Sequence, residues 1–160
     1  MLEITVIAMG KLKERFYLDA AAEYEKRLKG YCQFKLIELP EVRLPDNPSQ
    51  SEIAAGLEKE ADNILNRIPK GGWFCVLTPE GKLLSSEMLA EKMRNIKLAG
   101  KSSLCFLIGS SFGIAPRVKD KADFKLSMSP MTFPHHLARI MVLEQIYRAE
   151  AIQAGSKYHK

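Results

Sequence analysis

Almost nothing in this chain could staple, anchor or chelate. Its 160 residues hold only three cysteines, Cys32, Cys75 and Cys105. The count is odd and no pair has metal-ligand spacing, which argues against a disulfide framework and against zinc. Cys75 and Cys105 lie inside apolar runs, Trp73–Leu77 and Leu104–Ile108, and read as buried free thiols in a reducing compartment. Histidine is equally scarce, at three, and no metal site is expected. No apolar run approaches the length needed to span a bilayer. Met1–Ala8 carries no basic leader and is too short for a signal peptide, so the expected location is cytoplasmic. Internal repeats, low-complexity runs and linkers are absent, which predicts one domain over residues 1–160. Neither the G-x-G-x-x-G dinucleotide fingerprint nor a phosphate-loop Gly-Lys-Ser/Thr occurs, which counts against a nucleotide-binding oxidoreductase.

What is present is an ordinary globular composition with a mild basic excess. Hydrophobic residues make up 46% and the net charge is +5, enough for a core and compatible with a polyanionic partner such as RNA, without requiring one. A non-catalytic ribosome- or RNA-binding module is therefore the alternative to any enzymatic reading.

Strand-like and helix-like stretches alternate. Leu2–Met9 predicts a strand, and a helix is expected from Arg15 to Lys29 with Phe16, Ala20, Tyr24 and Leu28 inward. Phe34–Leu39 predicts a second strand, stopped by Pro40, and residues 41–50 read as a loop. Ser49 and Glu52 have capping-box spacing for a helix reaching Arg67, with Ile53, Leu57, Ala61, Ile64 and Leu65 inward. Trp73–Thr78 and Ser103–Ile108 are continuously apolar, as strands buried on both faces are. Between them, Pro79–Lys82 reads as a turn, and Ser85 or Ser86 caps a helix to Leu98. A short strand over Ala122–Met128 and a helix from about Pro134 to Ala154 complete the chain. The alternation predicts an α/β fold, a mostly parallel sheet flanked by helices.

Three stretches carry candidate chemistry. Gly109-Ser-Ser-Phe-Gly113 follows a buried strand, where open α/β sheets bind ligands; an ordinary tight turn is the other reading. Thr78-Pro-Glu-Gly-Lys82 leaves another strand on the same expected edge. Met128-Ser-Pro-Met-Thr-Phe-Pro-His135 passes from strand to helix through two fixed prolines, either as a rigid connection or as a backbone wall for a flat ligand.

The last helix is unusual. At about 100° per residue, Arg139, Glu150 and Gln153 fall on one side and Glu144, Gln145 and Arg148 on the opposite one, with apolar residues in both arcs between. Two buried faces are expected, one against the sheet and one against a second subunit. Glu144 and Arg148 have the favourable i,i+4 order. His135 and His136 are adjacent and cannot make an i,i+4 metal pair. The tail Lys157-Tyr-His-Lys160 joins an aromatic ring, an imidazole and a cation. Fraying and a role in holding and activating a nucleobase both fit it.

Met131-Thr-Phe-Pro-His135, Glu144-Gln-Ile-Tyr-Arg-Ala149 and Gly155-Ser-Lys-Tyr-His-Lys160 together resemble the bacterial ribosomal RNA large-subunit methyltransferase H family of SPOUT methyltransferases. Gly10-Lys-Leu-Lys13 and Glu23-Tyr-Glu-Lys-Arg27 match as well, so the resemblance covers the whole chain. It implies an α/β knot with the C-terminal part in a trefoil, a homodimer, and S-adenosyl-L-methionine as cofactor. It also implies a pseudouridine in helix 69 of 23S rRNA as substrate, methylated at N3 in assembled ribosomes. Carried over by position, the cofactor contacts are Leu77, Gly109, Met128, Ser129, Pro130, Met131, Thr132 and Phe133. The expected catalytic group is His159 as base or orienting residue, Tyr158 and Arg148 holding the target base, and His135 as the second candidate base. One position departs from the pattern: the family has two successive glycines after the fourth strand, and here the second is Ser110.

Overall fold

The computed structural model describes residues 1–160. The chain runs β1 (Glu3–Met9), α1 (Arg15–Leu28), β2 (Gln33–Leu39), α2 (Gln50–Arg67), β3 (Trp73–Leu83), α3 (Ser86–Leu98), β4 (Ser103–Ile108), α4 (Pro116–Asp120), β5 (Phe124–Ser127) and α5 (His135–Gln153). The strands form one sheet in the order β2-β1-β4-β3-β5, and every pairing is parallel. Parallel strands all end on the same edge, so the loops after β1, β2, β3, β4 and β5 gather there.

Strand alternation divides the apolar residues between two layers. Ile4, Val6 and Ala8 of β1 face a core shared with α1, α3 and α5, whereas Ile7 and Met9 face one shared with α2 and α4. The central strands are buried on both faces, as their continuous apolar runs predict. All three thiols are buried, and desolvation pushes those of Cys32 and Cys105 up to about 12, which makes them inert.

Local signals set most boundaries. The Ser49 hydroxyl accepts from the Glu52 amide at 3.1 Å while Glu52 accepts from the Ser49 amide at 3.0 Å, the expected capping box. Ser85 caps α3 through the Met88 amide. Elsewhere the structure differs from the sequence expectation. The inward stripe of α1 is Tyr17, Ala21, Tyr24 and Leu28, while Phe16 is 64% exposed. The spacing-four reading started one residue early and drifted, since a helical stripe alternates three and four. Helix α4 has no counterpart in the sequence expectation, being too short to show periodicity. Strand β3 continues to Leu83 through the predicted turn: Leu77 and Lys82 both pair with Leu126, so Thr78–Gly81 is looped out between two paired segments.

Helix α5 packs against α1 and α3 over the sheet. Much of its second apolar arc is thus covered within the same chain, and the side bearing Arg139 and Glu150 is buried too. No helix is long and apolar enough to cross a membrane.

Candidate active site

The loops leaving β3, β4 and β5 enclose a cleft of about 820 Å³, closed on one side by the first turn of α5. That size suits a nucleoside-sized ligand. All eight residues nominated for cofactor binding line it: Leu77, Gly109, Met128, Ser129, Pro130, Met131, Thr132 and Phe133. His135 lines it as well. Phe112, about half exposed, and Met131 stand among the lining residues as large apolar groups open to a ligand.

Two glycines hold this edge tight. A Cβ on Gly109 would lie 2.6 Å from both the Gly113 carbonyl oxygen and Ile114 Cγ1, so the β4 exit can fold back on itself only without a side chain there. Ser110 and Gly113 then bridge in antiparallel fashion, with Gly113 at φ 101°. A Cβ on Gly81 would lie 2.6 Å from the Leu126 carbonyl carbon, which explains how the β3 bulge presses against β5. The bulge is tied outward as well. Glu80 accepts from Lys119 of α4 at 2.6 Å and from the Thr78 hydroxyl, and these two donors hold its carboxyl down at about 2. Lys119 is thereby partnered although it lines the cleft.

Ser110, the departure from the family pattern, also lines the cleft. Behind it lies the buried carboxylate of Glu60, which accepts from the Val42 amide at 2.9 Å. Burial raises the Glu60 pKa; the Val42 amide and the Ser110 hydroxyl oppose that rise, while nearby Glu41 adds to it. Glu60 thereby ties α2 to the loop after β2. Gly109, next to the serine, is the position that needs the missing side chain.

The first turn of α5 is fixed from below. His135 Nε2 lies 3.2 Å from Glu41. One turn on, Arg139 is 1% exposed, the largest fully buried side chain in the protein. It donates to Glu38 at 2.6 Å and to the carbonyls of Met9 and Gly10 at 3.1 and 2.8 Å. Its Nε has no partner. Glu38 also accepts from the Leu12 amide. One guanidinium thus ties the ends of β1 and β2 to the helix that closes the cleft. His136 packs edge-on to Tyr17, and burial lowers its pKa, helped by His135 and Arg139.

The remaining catalytic candidates form a second cluster, none of whose members lines the cleft. Arg148 donates to both oxygens of Glu144, at 2.6 Å in the closest contact, and its guanidinium lies 4.7 Å from the Tyr158 ring centroid. The Tyr158 hydroxyl donates to the same carboxylate at 2.9 Å, and the ring meets Tyr147 edge-on. His159 takes Arg148 on Nδ1 at 3.1 Å and Glu87 on Nε2 at 2.7 Å. A guanidinium only donates, so Nδ1 is the acceptor and Nε2–H donates to Glu87: the ring is held in one neutral tautomer. Both nitrogens are occupied. As arranged, His159 orients, and to take a proton it must first leave one partner. The tail is folded back onto α3 and α5 through these bonds, so fraying does not describe it. Burial and the bond to Glu144 push the Tyr158 hydroxyl up to about 12, so it stays protonated.

The sequence reading missed Glu87, Glu60, Glu38 and the hub role of Glu144. Glu144 was legible only as half of an intrahelical pair. Arg139 had a readable signal, a lone cation in an otherwise apolar stretch, but its partners are more than 100 positions away. No group of three or more His, Cys, Asp or Glu side chains is placed to hold a metal ion.

A parallel sheet with glycine-tightened loops enclosing a nucleoside-sized cleft is the frame, and its sequence matches a known one. A family model described as "Predicted SPOUT methyltransferase" matches residues 2–159, and the chain belongs to that family. Within it, the chain is similar to proteins named ribosomal RNA large subunit methyltransferase H. It is 45% identical to that of Clostridium kluyveri and 43% to that of Alkaliphilus oremlandii, in each case over 159 residues, 99% of this chain and 100% of the relative. Among solved structures, a probable methylase family protein from Haemophilus influenzae Rd KW20 aligns with a TM-score of 0.52 at 16% identity, covering 99% of this chain and 70% of that one. That likeness concerns the fold.

Proposed function

We propose that this protein is an S-adenosyl-L-methionine-dependent methyltransferase that methylates N3 of a pseudouridine in helix 69 of 23S rRNA. It works in the cytoplasm, as a homodimer, on the assembled ribosome. The observation that carries the reading is the convergence of the eight family-pattern residues on one cleft whose wall admits no side chain at Gly109. The cleft fits the cofactor: it is mainly neutral, rich in backbone, and offers Leu77, Ile108, Met128 and Phe133 to a flat ring beside Ser129 and Thr132. When bound, the cofactor supplies an activated methyl group. The protein's residues position the target and manage its proton.

Pseudouridine N3 is an imide nitrogen that must shed a proton to become nucleophilic. Arg148 stabilises the resulting anion, Tyr158 offers a ring to stack on, and His159 orients the base or takes the proton. His135, on the cleft wall, is the second candidate acceptor. The trefoil knot belongs to the same reading and rests on family membership. The homodimer is supported further by exposed apolar residues on α1 and α5, Phe16, Leu18 and Leu137.

Calorimetric titration with S-adenosyl-L-methionine, followed by methylation assays on intact ribosomes and on free rRNA, tests the proposal. Saturable binding with transfer to ribosomes is expected. A protein indifferent to the cofactor that still binds ribosomes would instead be the non-catalytic RNA-binding module.

A further inference from the structure

A second cavity, of about 280 Å³, opens between the start of α3, the middle of α5 and the end of β5. Its floor is Phe106 and Leu126, and Leu89, Val142 and Ile146 form much of its wall. No charged side chain lines it. Its polar groups are three serines, Ser85, Ser86 and Ser127, and the amide of Gln145. A small apolar slot with neutral hydrogen-bonding groups suits a flat uncharged heterocycle and disfavours phosphate or a cation.

Its place in the fold narrows the occupant. Ser127 and Met128 line both this cavity and the large cleft, so the two meet across the exit of β5. On the other side, Gln145 Nε2 donates to Glu144, the hub of the tail cluster, at 3.0 Å. The Ser86 hydroxyl donates to Gln145 Oε1 at 2.7 Å, and the next residue, Glu87, holds His159. The cavity therefore adjoins both the cleft and the two ends of the tail cluster.

We propose that this cavity seats the ring of the target pyrimidine and that Gln145 is the residue that reads it; this rests on the methyltransferase reading above. The bonds to Ser86 and Glu144 use one lone pair and one hydrogen of the Gln145 amide, leaving one acceptor and one donor. In pseudouridine the ribose is joined through carbon, so N1 keeps its hydrogen beside the C2 carbonyl. A glutamine accepting from N1–H and donating to O2 pairs with that edge and leaves N3, on the other side of C2, open. In uridine N1 carries the ribose, and the pair cannot form. Gln145 thus favours the C-linked ring.

The test uses the full-length protein and ribosomes carrying either pseudouridine or uridine at the target position, with Gln145→Leu and, as a second variant, Ser86→Leu, which adds bulk to the cavity lining. Both variants are expected to bind S-adenosyl-L-methionine as the unaltered protein does. In Gln145→Leu, kcat/KM on pseudouridine ribosomes falls about ten- to a hundredfold, as for loss of a two-bond contact to a base edge, and the preference over uridine shrinks by a similar factor. In Ser86→Leu the loss is in KM for ribosomes. Unchanged rates and an unchanged preference in both variants would overturn the subsite while leaving the enzyme reading intact. An unaltered protein that neither binds the cofactor nor methylates ribosomes would overturn both.

Discussion

The cleft and the tail cluster are built from opposite materials. The cleft combines glycines, prolines and small hydroxyl residues on three loops with a few large apolar side chains, and its one lysine is already paired with Glu80. The tail cluster is almost wholly side chain, with Glu87, Glu144, Arg148, Tyr158 and His159 satisfying one another. A main-chain surface recognises shape and is hard to charge. A side-chain network supplies charge and protons but depends on every member. On the proposed reading, the division gives holding to one region and chemistry to the other.

The sharpest way to break that division is His159→Ala. Losing a positioned acid–base group is expected to lower kcat by about 10²–10⁴-fold with cofactor affinity unchanged in calorimetry; an equal loss of affinity would merge the two regions into one. Gly109→Ala is the converse. The added methyl meets the Gly113 carbonyl oxygen and Ile114, so cofactor affinity should fall about tenfold or more, at a stability cost of about 1–3 kcal/mol. Arg139→Met probes the frame both regions share. The Met9 and Gly10 carbonyls lose their donor, while Glu38, a third exposed, keeps water and the Leu12 amide, so the expected cost is about 1–3 kcal/mol in denaturant unfolding. The smallest effect is at alkaline pH. Tyr158 has a folded-state pKa raised to about 12 from an ordinary 10. Its contribution to stability is therefore complete below pH 10 and lost as pH rises towards 12. A difference titration of tyrosinate absorbance against Tyr158→Phe should show one late-titrating ring.

Much of the fold was legible because its signals are local. The continuous apolar runs at Trp73–Leu77 and Leu104–Ile108 marked strands covered on both faces, and Ser49 and Ser85 marked helix starts through bonds spanning three residues. The cleft loops were legible by position after strands. What stayed hidden depends on distant partners. Nothing near Arg139 in sequence announces Glu38, and nothing near His159 announces Glu87, because helix and tail meet those residues only after the sheet has formed. The bulge at Thr78–Gly81 was hidden for another reason: Pro79 and Gly81, separated by one residue, look alike in a turn and in a looped-out strand segment.

The absence of a side chain at Gly109 also dictates how this protein can be mapped by mutation. At the proline neighbours of Gly109 in the cleft wall, truncation to alanine removes little that a bound molecule touches, and a scan of that kind would report those positions as indifferent. Enlarging residues one at a time would trace its outline, because such a wall is damaged by intrusion and hardly at all by loss.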